Sequence, residues 1–567
     1  MRIYFKELSK SYLEQKVFEN LQGSINEGDK IGIVGINGVG KSTLVKIIAN
    51  KENCDSGIVK REPSNIKIKY AMQDICIEES KLVSEILLTN NLGIKIKKLL
   101  NELNLEEKIL EEKFENLSGG EKTKIKLIST LCGDFDFLFL DEPTNHLDMK
   151  ATEWLEKHLR KLNKTIVIVA HDRYFLDNVV KKIWELTDKG LKIYEGNYTD
   201  YVNQKDIEVK TQTREYENQQ DKIRSLEKII SDRTEWFHRA HDAAGQSDFL
   251  RAKAKKQMQV VKSKEKELEK VKENAVGKPK KDIAAAFNII NRNIINMKTA
   301  KYLIKVDNLR KSFGEKLILK NETFEVERGD KIALIGENGT GKSTILKMIM
   351  GLDNEYDGEI AVNPSIKIGY LSQEFEDMKR SNTILDEVLQ IGTTKNDARM
   401  LLACLMFRGE NVFKKIDDLS LGERSRIAFA KLILSGAQLL ILDEPTNYMD
   451  IVSCEKIEEV MLEYQGTILV VSHDRYFVKK LANKIFELKE NRIFKFDGDY
   501  DYYLSKANQK EENKENLKIK DRIRILEYEV TSINLKIDRI LDLDEKQRLT
   551  DEFIKKSREL NELRNRG

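Results

Sequence analysis

The stretch "FLFLDEPTNHLD" (Phe137–Asp148) returns as "LLILDEPTNYMD" (Leu439–Asp450). Each opens on four apolar residues, reaches an Asp–Glu pair and breaks at a proline. A short apolar run that ends in turn residues predicts a buried strand. Its carboxyl end is expected to emerge at a polar crevice, because a strand tip fixes two adjacent carboxylates with little entropy left to lose. The sequence around both copies alternates between strands and helices. "KIGIVG" (Lys30–Gly35) and "TIVIVA" (Thr165–Ala170) read as strands, and "KSTLVKIIAN" as a helix. This pattern favours an α/β fold with a largely parallel sheet.

Further strings repeat at the same offset of about 300 residues. "GINGVGKST" at Gly35 returns as "GENGTGKST" at Gly336, and "LSGGEKTKI" at Leu117 as "LSLGERSRI" at Leu419. "AHDRYF" at Ala170 returns as "SHDRYF" at Ser472, and "EGNYTDY" at Glu195 as "DGDYDYY" at Asp497. The chain therefore holds a duplicated domain rather than a short-period solenoid. The boundaries read as 1–202 and 300–505 for the two copies, 203–299 for a linker and 506–567 for an extension.

Composition limits the alternatives. The 567 residues suffice for several cores, 40% are hydrophobic and 34% are charged. The high charged fraction suggests long solvated helices beside the cores. A net charge of +3 means that any basic surface is local. No apolar run approaches the ~18–20 residues of a membrane helix. The opening "MRIYFKELSKSY" reads as a strand rather than a signal peptide. Five scattered cysteines without a CxxC fit reduced thiols in a cytoplasmic protein.

GxxxxGK[ST] between a strand and a helix predicts a phosphate-binding loop, here twice. Gly35, Asn37, Gly38 and Gly40 in the first copy, and Gly336, Asn338, Gly339 and Gly341 in the second, let backbone N–H groups turn inward around phosphate oxygens. Lys41 and Lys342 would reach the β- and γ-phosphates, with Thr43 and Thr344 close by. Ser42 and Ser343 would ligate Mg²⁺, together with Asp141 and Asp443. Glu142 and Glu444 would polarise or orient the water that attacks the γ-phosphate.

The order of motifs, a P-loop, then LSGGE, then the Asp–Glu strand, then a histidine some thirty residues on, resembles the ATP-binding cassette (ABC) ATPases over both copies. The resemblance implies two cassettes meeting head to tail, with ATP held between one P-loop and the other signature. One site would pair Lys41 with Ser420 and Gly422. The other would pair Lys342 with Ser118, Gly119 and Gly120. It also implies metal and water sensing by Gln73 and Gln373, cross-dimer contacts by Asp148 and Asp450, and a γ-phosphate switch by His171 and His473. Tyr12 and Phe313 match the aromatic that stacks on adenine. The second signature reads "LSLGE", and Leu421, set against Gly120 of the first, is expected to narrow the backbone and make the two hydrolysis rates differ.

The linker reads as two helices, about 201–238 and 247–275. Ile223, Leu226 and Ile230 on the first face Met258, Val261 and Leu268 on the second. Thirty residues of helix span ~45 Å, so the pair forms a narrow arm. Near its turn lie Trp236, Phe237, His238, Arg239 and Phe249. Then Arg251, Lys253, Lys255 and Lys256 follow with no acid among them. Cations for phosphates and flat rings for bases make an RNA-binding composition; a solvated helix face is the alternative. The extension carries a heptad seam at Ile519, Ile523, Leu526, Val530, Ile533, Ile537 and Ile540, and a second stripe at Leu549, Phe553, Leu560 and Leu563. "DLDEKQ" interrupts the two, which suggests a helical hairpin.

Fused cassettes with a long charged linker resemble the ABC-F subgroup of translation-associated ATPases. From Gln73 to Ser118 is 45 residues and from Gln373 to Ser420 is 47, so the extra arm of housekeeping members is missing or vestigial. This is similar to the antibiotic-resistance members. It implies a monomer with an internal cassette dimer, acting at the exit site of the 70S ribosome on 23S ribosomal RNA and transfer RNA. The arm tip would then dislodge lincosamides, pleuromutilins or streptogramin A from the peptidyl-transferase centre. The other readings are a housekeeping translation factor and a transporter or DNA-repair ATPase.

Overall fold

The computed structural model describes residues 1–12, 15–71, 80–87, 93–145, 147–243, 248–274, 291, 301–372, 378–447, 449–537 and 543–564. Each copy of the repeat is an α/β cassette. In the first, Ile68–Ala71, Phe137–Asp141, Thr165–Val169, Lys30–Val34, Lys182–Thr187 and Gly190–Glu195 lie side by side in that order. Every neighbouring pair is parallel except the last. The second cassette repeats the order with Ile368–Leu371, Leu439–Asp443, Thr467–Val471, Lys331–Gly336, Lys484–Lys489 and Arg492–Phe496.

The quoted strands are buried at every residue. Successive strand side chains point to opposite faces, so each strand feeds two cores. Phe137 and Phe139 pack with Ile3, Phe5, Trp184 and the helix Lys41–Ile48. That layer closes under an antiparallel sheet of Arg2–Tyr12, Gln15–Asn26 and Ser56–Glu62. Leu138 and Leu140 face the other way, onto Ile128, Leu155 and Phe175. An apolar run without alternation is what a strand covered on both faces requires.

Two long helices, Tyr198–Ala243 and Asp248–Glu273, form the linker arm. Leu226 and Val261 are buried along their seam, and Ile223, Ile230, Met258 and Leu268 are half-buried. The first helix starts at Tyr198 because Asn197 and Asp200 cap it reciprocally: each side chain accepts the other's N–H at 3.0 Å. The root of the arm is therefore continuous with the first cassette. The extension folds as Tyr500–Ile537 and Leu543–Arg564, with Leu526, Ile533 and Leu560 buried. The second of these helices already includes most of "DLDEKQ", which the sequence suggests as the interruption. Among the described residues, no helix is long and apolar enough to cross a membrane.

Candidate functional site

Both carboxylate pairs stand at the tips of central strands. Asp141 accepts the Ser42 hydroxyl at 3.0 Å and the Tyr70 hydroxyl at 3.1 Å. Asp443 accepts the Ser343 hydroxyl at 3.2 Å. Burial pushes both carboxyls up, while the serine hydroxyls hold them back. The next residues, Glu142 and Glu444, both adopt φ of 51°. A left-handed glutamate in both copies is a constrained position. It ends the strand abruptly and leaves each carboxylate beside its own histidine. Glu142 Oε1 lies 3.1 Å from His171 Nε2. Glu444 Oε1 lies 3.4 Å from His473 Nε2, within ion-pair range but without hydrogen-bond alignment, and Glu444 Oε2 accepts the His473 backbone N–H at 3.2 Å.

Burial raises both glutamates to about 8, against the opposing pull of Lys41 and Lys342. Burial lowers both histidines to about 3, and the nearby lysines add to the shift. Burial thus favours a protonated carboxyl facing a neutral imidazole in the resting pair. A raised acid favours the folded state below its folded pKa, and that advantage is lost as pH rises from the unfolded value towards 8. The histidines act oppositely but only below their unfolded value near 6.5, so the window from there to 8 belongs to the glutamates. The nucleotide-free protein is expected to lose thermal stability from pH 6.5 to 8. The Glu142→Gln, Glu444→Gln variant should lose measurably less over the same range in a melting series.

The phosphate loops repeat atom for atom. Lys41 Nζ donates to the carbonyls of Gly35 at 2.9 Å and Ile36 at 3.1 Å. Lys342 Nζ donates to those of Gly336 and Glu337, both at 2.9 Å. Gly40 and Gly341 precede the helices at φ of 97° and 106°. A Cβ at either would run into Val17 or Ile318, so only glycine serves there.

The two cassettes meet across this site. One cavity of about 960 Å³ is lined by Asn37, Gly38, Gly40, Lys41, Ser42 and Thr43 of the first P-loop, and by Asn338 and Gly339 of the second. Ser118, Gly119, Gly120, both catalytic-type glutamates and both histidines line it too. The first signature thus shares a cavity with the second P-loop. Ser420, Gly422 and Phe313 are not among its lining residues. Asp450 Oδ2 accepts the Asn37 N–H at 2.9 Å, and Lys150 pairs with Glu337 at 2.6 Å. Ile451, next to Asp450, belongs to the core of the first cassette, and Met149, next to Asp148, packs on the core of the second. Tyr12 lines the cavity with its hydroxyl donating to Glu52 at 2.5 Å. Phe313 is 52% exposed, with Lys311 Nζ at 4.7 Å from its ring centre.

Two arginines that the sequence reading left without a role hold the cassettes together. Arg173 is 1% exposed and bonds Glu458 and Asp474 of the other cassette, with its guanidinium 4.8 Å from the Tyr476 ring. Arg475, 2% exposed, reciprocates with Glu156 and Asp172, 4.3 Å from the Tyr174 ring. Both lie inside the repeated "HDRYF", and that repetition was the available signal. Tyr70 was also missed, as was its counterpart Tyr370, whose hydroxyl is pushed up by burial and then by the charge of Asp443. Each precedes its glutamine by three residues in the repeat.

The expectation for Leu421 needs correction. Leu421 aligns with Gly119 rather than Gly120, which aligns with Gly422, and Gly119 has no left-handed backbone and open space where a Cβ would sit. Ser118 and Ser420 cap their helices through the same capping box, with Glu121 and Glu423. The leucine therefore leaves the backbone as it is and adds only a half-exposed side chain, 52% accessible. Gln73 and Gln373 lie outside the described residues. On the arm, Trp236, His238, Arg239 and Lys256 are exposed, and Phe237 packs edge-on to His238 at 5.6 Å. Phe249, Arg251, Lys253 and Lys255 lie on the second helix, and their side chains are outside the described residues.

Two family models match the chain. One, described as ABC transporter, fits residues 18–145 and again 319–447, and another of the same description fits 184–289, over the arm. The ribosome protection protein VmlR of Bacillus subtilis is 37% identical, over 88% of both chains. ABC transporter F family member 5 of Arabidopsis thaliana is 32% identical over 89% of this chain and 77% of its own. The chain belongs to the ABC-F family. The energy-dependent translational throttle protein EttA of Escherichia coli is a further relative, 31% identical over 86% of this chain and 92% of its own. A solved structure titled RNase-L Inhibitor shares the fold, with a TM-score of 0.61 at 20% identity over 86% of this chain and 90% of that one.

As an ABC-F protein the chain is an ATP-hydrolysing enzyme. The site fits that substrate on its own evidence. Glu142 Oε2, Glu444 Oε1 and Nδ1 of both histidines are buried without a hydrogen-bond partner, a state that native sites keep for something they bind. A divalent cation fits as well. Ser42 and Asp141 set two hard oxygen donors side by side, and Ser343 and Asp443 do the same. Among the described residues no group of three or more His, Cys, Asp or Glu could hold a metal alone. The two hard oxygens at each site match Mg²⁺, which is bound through one or two protein oxygens with substrate phosphates and water.

Proposed function

We propose that this ABC-F protein binds the ribosome in an ATP-dependent way and protects the large subunit from antibiotics by placing its arm near the peptidyl-transferase centre. The shared cavity carries the reading. A site lined by both cassettes is completed only when they come together, so its occupancy governs their spacing, and the arm is joined to both. ATP then supplies differential affinity between two shapes.

In this cycle Lys41 and Lys342 neutralise phosphate charge. Ser42, Asp141, Ser343 and Asp443 hold Mg²⁺, which would offset charge on the transferred phosphoryl group, with Gln73 and Gln373 beside it. As nucleotide and Mg²⁺ enter, Glu142 and Glu444 would lose their protons to solvent and then orient the attacking water and accept its proton, and His171 and His473 contact the γ-phosphate. Ser118, Gly120, Ser420 and Gly422 close each site from the opposite cassette, and Tyr12 and Phe313 stack on adenine. The exposed Trp236, His238, Arg239 and Lys256, with the rest of the arm's basic stretch, meet 23S RNA and transfer RNA at the exit site. The protein works as a monomer in the cytoplasm.

Kinship with a named ribosome protection protein over 88% of both chains favours protection. Kinship with a named translational throttle protein supports a second reading, a translation factor without drug protection. Expression in a drug-susceptible bacterium separates them. Several-fold higher inhibitory concentrations of lincosamide, pleuromutilin or streptogramin A are expected. An unchanged susceptibility to all three, with ribosome binding intact, would favour the translation factor.

A further inference from the structure

The proposed cycle leaves open which nucleotide site commands the arm. One helix of the second cassette, Ile451–Glu463, touches every part such a command needs. Its N-cap, Asp450, accepts the Asn37 N–H of the first P-loop at 2.9 Å. One turn on, Glu455 Oε1 accepts the hydroxyl of Tyr198 at 3.1 Å. Tyr198 is the first residue of the arm's outgoing helix and is 1% exposed. Glu458 then holds Arg173 of the first cassette. At the far end Asn291, from the returning side of the linker, donates its side-chain amide to the Glu463 carbonyl at 2.8 Å. Asn291 also accepts the Gln465 N–H at 3.0 Å and is 6% exposed.

Both ends of the linker therefore grip the helix whose N-cap rests on the first P-loop. A buried phenol–carboxylate bond and a two-bond side-chain amide are geometrically demanding contacts. They transmit a tilt or shift of this helix that apolar packing alone would absorb. We infer that Ile451–Glu463 is the lever that couples occupancy of the first P-loop site to the arm, with Tyr198 and Asn291 as positioning residues. The second P-loop is served from the other side: Lys150 pairs with its Glu337 from the helix Met149–Lys161, which belongs to the cassette the arm grows from. The inference rests on the reading that the arm is the working end of the molecule.

The test uses the full chain without ribosomes. Clickable non-natural residues at Arg239 on the arm and Leu352 on the second cassette, both well exposed, carry a label pair for distance measurement. With a non-hydrolysable ATP analogue and Mg²⁺, the parent protein should shift and narrow its distance distribution. Lys342→Ala should keep that response and Lys41→Ala should lose it. Tyr198→Phe with Asn291→Ala should also lose it while the basal ATPase rate is unchanged. Tyr198→Phe alone removes only a hydroxyl and should show a partial loss in a protein that folds normally. Retention of the shift in Lys41→Ala, or in the Tyr198, Asn291 double variant, overturns the inference. A normal shift in a protein that ignores ribosomes would instead count against the proposed function alone.

Discussion

Replacing Glu142 and Glu444 together with glutamine is expected to leave ATP binding intact and lower turnover about 10²–10⁴-fold, the usual cost of losing a positioned general base. Glutamine keeps the shape of a carboxyl whose burial favours its neutral form at rest. The resting fold should therefore tolerate the change. What the variant cannot do is accept a proton from the attacking water. Closed cassettes would accumulate, and the protein should stay on ribosomes in ATP and slow growth when expressed. Single-turnover ATP hydrolysis and gradient sedimentation measure the two halves of this prediction. Fast hydrolysis by the double variant would remove the glutamates from the reaction.

Removing one arginine of the cassette interface is the second large effect. Arg173→Ala leaves Asp474, at 16% side-chain exposure, without its cation, and leaves Glu458, at 2%, with Lys480 alone at 2.9 Å. Removing one partner of a buried ion pair costs about 3–5 kcal/mol, and the remaining Lys480 places this change at the lower end. The cost falls on the interface rather than on either cassette core, because Arg173 reaches across to the other cassette. Two separate melting transitions are expected where the parent shows one, with ATP turnover falling steeply. Glu458→Gln added to Arg173→Ala should recover part of the loss, since a buried carboxylate held by Lys480 alone is then gone. A double-mutant cycle on the melting temperatures reads the coupling. Additive losses would mean that the pair is not energetically linked.

Much of this molecule is written locally. The P-loops, the Asp–Glu strand tips and the capping serines depend on neighbours a few residues away, and two copies in register make each motif hard to mistake. The seams of the arm, with Leu226 and Val261 at their centre, follow from helical period alone. What stayed hidden depends on pairs far apart in sequence. Tyr70 finds Asp141 only because Ile68–Ala71 and Phe137–Asp141 are neighbours in the sheet. Arg173 and Glu458 are 285 positions apart and meet only across the cassettes. The left-handed turn at Glu142 and Glu444 has no glycine to announce it. Leu421 misled for the opposite reason: a missing glycine suggests strain only where glycine's extra freedom is in use, and at Gly119 it is not.

Purified protein and ribosomes, sedimented together with and without ATP, probe the link between nucleotide and ribosome most directly. Binding with ATP and release on its removal is the predicted result. Equal binding in both conditions, or none in either, would contradict a shared nucleotide cavity that sets how the arm is presented.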